Sequence, residues 1–599
     1  MTTNTLRASQ LITTFGPGAM LDLPDAAVMI AGLDSWQFDR SCLPIISEPR
    51  LTAKLARYLD TSQLSLRAPP PCLDFAPGGP KQGVVVWRFP QWFLVQSPVT
   101  TERGMRRRLV HQNALQQGKY RDADDRRQNK TVVPVRFVRA CRKGHIGDVD
   151  WISFVHEGRS GCYRDLWFED RGTGGNLDEQ FVVCDCGQER ALSKAATPRF
   201  RALGKCDGNR PWLGPNNREG CDEQNRLLIR SASNAYFPQR MSVISIPDAA
   251  SPVDDVVRSL WDDFLVDVLS QDDLRRVRAK PTPTAKLQGL EDDAILQAIE
   301  RVRLGGSALD RSVKDVEFDV LSRITGSDDC SLDRPGGDFF ARALPERFWQ
   351  SELTQGVERV LLVHRLREVT AQVGFTRFEP AGPDTSGELD LGVRAAPLAQ
   401  DATWLPAMEN RGEGIFIQFR AETIAAWLQR PQVMLRGIEL KVGFDLWQRE
   451  HPQSNRQFPG LPYIFLHSLS HLIMNAVTLE CGYPASSLKE RVYGMDGRYG
   501  ILIYTGTPDA EGTLGGLVLA GRDIARHLQR AIGFASLCSN DPIYSCHTPH
   551  ANDPQPLNGA ACHGCLLVAE TSCEQSNEFL DRALVVRTVE AQGAEFFLT

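Results

Sequence analysis

The sequence predicts a multidomain α+β protein, stapled by zinc and carrying an inserted helical subdomain. Three observations lead there. The chain is 599 residues long, too long for a single hydrophobic core. Of its 15 cysteines, most gather in two fields, Cys141–Cys221 and Cys538–Cys573, instead of spreading as a secreted disulfide framework would. Short apolar runs of strand character enclose a charged stretch with helical periodicity between residues 250 and 345. Composition is ordinary for a globular protein, with 42% hydrophobic and 24% charged residues. The net charge of -6 argues against coating nucleic acid by bulk charge, but leaves room for a local basic groove. The N-terminus lacks a basic segment followed by an apolar one, and no apolar run approaches membrane-spanning length. A cytoplasmic, reducing setting is therefore expected, in which clustered cysteines hold metal.

Residues 1–130 read as a mixed α/β region ending in a basic segment. A Gly16-Pro17-Gly18 turn flanked by apolar residues should dock on a core. Val28–Leu33 reads as a buried strand and Leu51–Leu59 as an amphipathic helix. Val84–Phe89 and Trp92–Val95 read as strands separated at Pro90. The basic segment contains Arg103, Arg106, Arg107, Arg108, Arg126 and Arg127. One reading is a solvated, flexible surface stretch. The other is an element that tracks nucleic-acid phosphates, because closely spaced guanidinium groups can pair with successive phosphates.

Residues 131–249 form a cysteine-rich region expected to bind zinc. Cys184-Asp185-Cys186-Gly187 is a turn bearing two thiols, and Cys206 and Cys221 lie in glycine- and asparagine-rich loops. Cys184, Cys186, Cys206 and Cys221 are expected to form one tetrahedral structural site. Cys141, His145 and Cys162 are read as ordinary buried residues, with a second site or a replaced member as the alternative.

Residues 250–345 read as a helical insertion. Val256, Val257, Leu260, Trp261, Phe264 and Leu265 make a stripe at helical spacing, and Ala294–Leu304 a second amphipathic helix. Residues 346–599 read as a C-terminal domain with a cysteine cluster at 538–573. Val357–Val363 suits a strand or a buried helix, and Ile415–Phe419 and Ile501–Thr505 suit strands. Tyr463–Glu480 is a helix with Pro462 near its start and Gly482 just past its end. Its polar stripe carries His467 and His471, one turn apart. The glutamate that zinc proteases place after the first histidine is replaced by Ser468, so a catalytic zinc is not expected. The pair is read as hydrogen-bonded histidines at an internal or subunit interface. In the terminal cluster, Cys562-His563-Gly564-Cys565 can present two thiolates from one tight turn, and Cys538, Cys546 and Cys573 lie nearby. A phosphate-binding loop, a nucleophile elbow and a zinc-protease motif are all missing, which suggests a non-catalytic partner or binding protein.

Several longer stretches resemble a known family. They are Ser9-Gln10-Leu11-Ile12-Thr13-Thr14-Phe15-Gly16-Pro17-Gly18, Cys141-Arg142-Lys143-Gly144-His145-Ile146-Gly147-Asp148, and Arg230-Ser231-Ala232-Ser233-Asn234-Ala235-Tyr236-Phe237-Pro238. Near the C-terminus, Gly559–Leu567, Glu570–Glu574 and Leu580–Arg582 complete the set. Together they resemble the DrmB family of the DISARM antiphage defence system. The C-terminal region looks like the helicase-associated domain also fused to MrfA-type helicases. The resemblance implies a non-enzymatic subunit that binds the helicase-like protein DrmA and helps engage phage DNA, with the ATPase in that partner. It also implies a four-cysteine zinc site at Cys546, Cys562, Cys565 and Cys573, for one or two structural zinc ions in all. The spacing from Asp541 to Cys546 is longer than the family pattern, which leaves Cys538 as a substitute for Cys546. Two other functions stay open on the residues alone: a metal-dependent DNA-processing enzyme such as a nuclease, and a protein scaffold without DNA contact.

Overall fold

The computed structural model describes residues 6–598 except 24–25, 39–42, 71–82, 122–128, 159, 173–174, 247–251, 304–310, 328–336, 391, 394, 453, 507–514, 542, 546 and 551–554. The architecture is α+β and multidomain, as expected. It is organised around an eight-stranded sheet whose central path runs Phe237–Ile244, Val357–Thr376, Trp404–Phe419, Arg498–Thr505 and Leu488–Met495. All neighbours on this path are antiparallel. Phe340–Ala343 and Ala396–Pro397 add to Val357–Thr376, and Ser65–Arg67 joins Trp404–Phe419 in parallel.

Both faces of this sheet are covered, so its strands alternate between two cores. Val360, Leu362, Ile415, Ile417, Ile501 and Ile503 point to one face. They pack there against the helices Gly460–Cys481, Gly516–Arg522 and Ile524–Ala535. Leu361, Val363, Phe416, Leu502 and Tyr504 point to the other and meet Phe318 and Leu321 of the helix Val313–Ser322. At the far end of Val357–Thr376, Val369, Ala371, Val373 and Phe375 join Leu11, Met29, Ile30, Leu51 and Leu55 of the N-terminal region. The Gly16–Gly18 turn therefore does dock on a core: Gly18 takes φ +84, and a side chain there would strike the Phe375 ring.

A second, seven-stranded antiparallel sheet holds Arg106, Arg107 and Arg108 of the basic segment. Its path is Val132–Pro134, Trp92–Val95, Gly104–His111, Leu166–Asp170, Gln180–Cys184 and Glu189–Ala191, with Val99–Thr101 against Gly104–His111. Arg106, Arg107 and Arg108 thus lie on an internal strand paired with Leu166–Asp170, not on a flexible stretch. Arg126 and Arg127 lie outside the described residues. A small sheet of Ile146–Gly147, Phe137–Ala140 and Arg226–Ile229 lies alongside.

The described residues of 250–345 divide between separate cores. Helices between Pro252 and Arg303 share a core of Val253, Val257, Leu260, Leu265, Leu274, Ile295, Ala298 and Ile299. Val313–Ser322 and Phe340–Ala343 belong to the large sheet and its cover. Among the described residues, no helix is long and apolar enough to cross a membrane.

Candidate metal centres

Cysteine and histidine side chains converge at four places among the described residues. The first is built on the small sheet. Cys141 and His145 bracket the hairpin turn between Phe137–Ala140 and Ile146–Gly147, closed by the Cys141 N–H to the His145 carbonyl at 3.0 Å. Cys206 and Cys221 come from the loop before Arg226–Ile229. His145 Nδ1 lies 3.3 Å from Cys141 Sγ and 3.6 Å from Cys206 Sγ. Tetrahedral zinc with sulfur and nitrogen ligands sets its donors roughly 3.3–3.8 Å apart, so the spacing suits that ion. His145 Nε2 is 2.7 Å from Glu219, whose other oxygen accepts from Arg210 at 2.9 Å. With Nε2–H donating to the carboxylate, Nδ1 turns its lone pair inward, as metal-bound imidazoles do. The Gly208 N–H donates to Cys206 Sγ at 3.3 Å. Gly208 has φ +66, and a side chain there would collide with the Glu219 carbonyl oxygen.

The second cluster is His156, Cys162, Cys184 and Cys186. Cys184 ends the strand Gln180–Cys184, and Gly187 at φ +95 turns the chain tightly after Cys186. Cys162 and Cys184 place their sulfurs 3.6 Å apart, and His156 Nε2 is 3.3 Å from Cys186 Sγ. His156 Nδ1 faces the Ile152 carbonyl at 2.8 Å, which again leaves the inward nitrogen free to act as a ligand.

These two clusters correct the expected single site. Cys184 and Cys186 belong to the seven-stranded sheet, whereas Cys206 and Cys221 belong to the loop beside the small one. Each pair is completed by donors from nearer in its own subdomain. Cys141, His145 and Cys162 are thus cluster members rather than ordinary buried residues. His156 escapes sequence reasoning. It lies just past the helix Trp151–Val155, where a lone histidine carries no spacing signal.

The thiols in these clusters are unequal. Hydrogen bonding from Cys141 pulls the Cys206 thiol down to about 4, while hydrogen bonding to Cys206, together with burial, pushes Cys141 up. Burial pushes Cys184 up to about 12, and the Gln188 backbone N–H draws Cys186 down to about 6. Each pair carries one negative charge easily and resists a second. A divalent cation removes that resistance, because metal binding displaces the remaining protons.

The third cluster is Cys538, Cys562 and Cys565. Cys562 Sγ is 3.6 Å from Cys538 Sγ and 3.4 Å from Cys565 Sγ, and it accepts from Asn540 Nδ2 at 3.4 Å. Cys538 does sit with the C-x-x-C pair, while Cys546 lies outside the described residues. Cys573 is not in this group, which corrects the four-cysteine set expected from the family resemblance. It joins the fourth cluster with His467, His471 and Glu490. Both histidines are fully buried, with Nδ1 hydrogen-bonded inside the chain; the sequence pattern flags Cys573 as a ligand but places it with the other cysteines, and it carries no signal for Glu490.

Arg106 and Arg108 of the Gly104–His111 strand form a basic and aromatic face, while Arg107 alternates to the other side. The Arg106 guanidinium lies 4.2 Å over the Trp167 ring and Arg108 lies 5.8 Å from it. Arg108 also pairs with Asp165, and Arg103, at the strand's start and well exposed, pairs with Glu189 at 3.1 Å.

The chain matches two family models: "Domain of unknown function (DUF8724)" over residues 7–237, and "MrfA Zn-binding domain" over residues 469–566. The first span contains both N-terminal clusters, and the second contains Cys538, Cys562 and Cys565. A curated relative, DISARM protein DrmB of Bacillus paralicheniformis, is 31% identical over 480 residues. The aligned region covers 78% of this chain and 82% of that protein.

Proposed function

The chain belongs to the DrmB family of the DISARM antiphage system, and from that premise we propose that it is a non-catalytic, zinc-held subunit of a defence complex. In this reading it works in the cytoplasm, binds the helicase-like protein DrmA and helps hold phage DNA. The likeness over most of the chain is the observation that carries it. Two features of the structure support it. The face of Arg103, Arg106, Trp167 and Arg108 combines guanidinium groups with an indole, the pairing that grips phosphates and stacks on bases. The four clusters are built from protein donors on rigid turns and elements, in the manner of structural metal sites.

The test pairs the purified chain with DrmA. The two should co-purify, and the chain alone should hydrolyse no ATP. The double variant Arg103→Glu/Arg106→Glu should weaken DNA binding by the complex and flatten its dependence on salt, by about 0.9 in the log–log slope for each phosphate left without its guanidinium. An unchanged slope would remove the basic face from the DNA path. Magnesium-dependent DNA cleavage by the chain alone would replace the subunit reading with a nuclease.

A further inference from the structure

We infer that His467, His471, Glu490 and Cys573 form a buried zinc site of mixed nitrogen, oxygen and sulfur ligands, separate from the cysteine cluster at Cys538, Cys562 and Cys565. The site joins the central helix, the large sheet and the C-terminal segment. Its donors follow from the fold. His467 and His471 stand one turn apart on the same face of Gly460–Cys481. On the strand Leu488–Met495, Leu488 and Val492 point toward that helix. Strand alternation sends Glu490, between them, the same way. Cys573 follows in the terminal segment.

The hydrogen bonds around the rings decide what they can bind. His467 Nδ1 is 3.2 Å from the Phe579 carbonyl oxygen and His471 Nδ1 is 2.9 Å from that of Leu566. A carbonyl can only accept, so each Nδ1 carries its proton there. Both Nε2 atoms then turn inward on one carboxylate oxygen, Glu490 Oε1, at 2.9 and 3.1 Å. His467 Nε2 is also 3.2 Å from Cys573 Sγ. Neutral rings would set two nitrogen lone pairs against that oxygen. Protonating both rings would instead bury two cations whose centroids are 4.6 Å apart. A divalent ion between the donors removes both difficulties. Two neutral imidazoles, one carboxylate, one thiolate and Zn²⁺ sum to zero charge, the condition a buried site requires.

The outer groups are placed for the same role. The Ser470 hydroxyl donates to Glu490 Oε2. The backbone N–H groups of Gln575 and Asn577 donate to Cys573 Sγ at 3.4 and 3.2 Å, as Gly208 does for Cys206, and such donors favour a thiolate. The histidines are 0% exposed, Glu490 3% and Cys573 8%. Four protein donors, all buried, make a closed, structural site rather than a catalytic one. The matched zinc-binding span of residues 469–566 contains neither His467 nor Cys573.

Two measurements on the full-length chain test this. Crystals of the wild-type protein, measured on either side of the zinc absorption edge, should show an anomalous peak among the four donor atoms, roughly 2.0–2.3 Å from each. No peak there, with peaks present at the cysteine clusters, overturns the assignment. Elemental analysis of Cys573→Ser should show one zinc fewer per chain than wild type. An unchanged count in folded variant also overturns it. If the variant does not fold, the wild-type crystal result decides alone.

Discussion

At the scale of single residues, the donors are legible in the sequence but their grouping is not. Clustered cysteines in glycine-rich loops announce metal, because those loops present side chains without strain. Which cysteine joins which depends on the sheet that carries it, and sequence distance misleads here. Cys186 and Cys206 are 20 residues apart yet serve different sheets, whereas Cys141 and Cys206, 65 apart, share one histidine. Histidines are harder still, since a single imidazole on a helix is most often an ordinary core residue. His156, and the acid at Glu490, become visible only when the backbone brings them to sulfur and nitrogen. The grouping makes a sharp prediction for metal analysis. Cys184→Ser and Cys206→Ser should each lose one zinc, and the double variant should lose two. Under a single four-cysteine site the double variant would lose only one.

At the scale of elements, strands rich in β-branched residues are legible, but hydrophobic pattern alone makes the long ones too short. It marks Ile415–Phe419, whereas the strand runs from Trp404 to Phe419. Val357–Val363 extends to Thr376 because the polar run His364, Arg365, Arg367 and Glu368 does not end it. Charged residues inside a sheet look like a break when only hydrophobic pattern is read. Here they are paired: Arg367 with Glu409, and Glu368 with Lys489 at 2.7 Å, Asn410 at 2.9 Å and Tyr504 at 2.8 Å. Burial alone raises the Glu368 carboxyl, but these partners more than offset it and hold it at about 2. A carboxyl depressed on folding adds stability above its unfolded value, near 4.5, and that stability is lost as pH falls toward 2. The full loss is on the order of 3 kcal/mol. Denaturant unfolding of wild type should therefore weaken from pH 5 to pH 3 more steeply than that of Glu368→Gln. Parallel curves would show that this network does not govern the acid response.

At the scale of the whole molecule, the cysteine–histidine clusters and the sheets each gather parts of the chain that lie far apart in sequence. The large sheet gathers strands from residues 65 to 505 and buries both faces. The helices between Pro252 and Arg303 keep a separate core, so they leave the sheet's packing intact on either side. The two N-terminal clusters pin loops around the smaller sheets. The terminal clusters tie the last forty or so residues to Gly460–Cys481 and Leu488–Met495, where Phe579, Leu580, Leu584 and Val586 complete the main core. Structural zinc contributes on the order of 10 kcal/mol to a small domain, so chelation should loosen both ends together. The most direct measurement is the zinc content of the full-length chain, purified without added metal and quantified against protein by elemental analysis. The four clusters predict about four zinc ions per chain. Two or fewer would contradict the account and leave at least half of the clusters as hydrogen-bonded side chains.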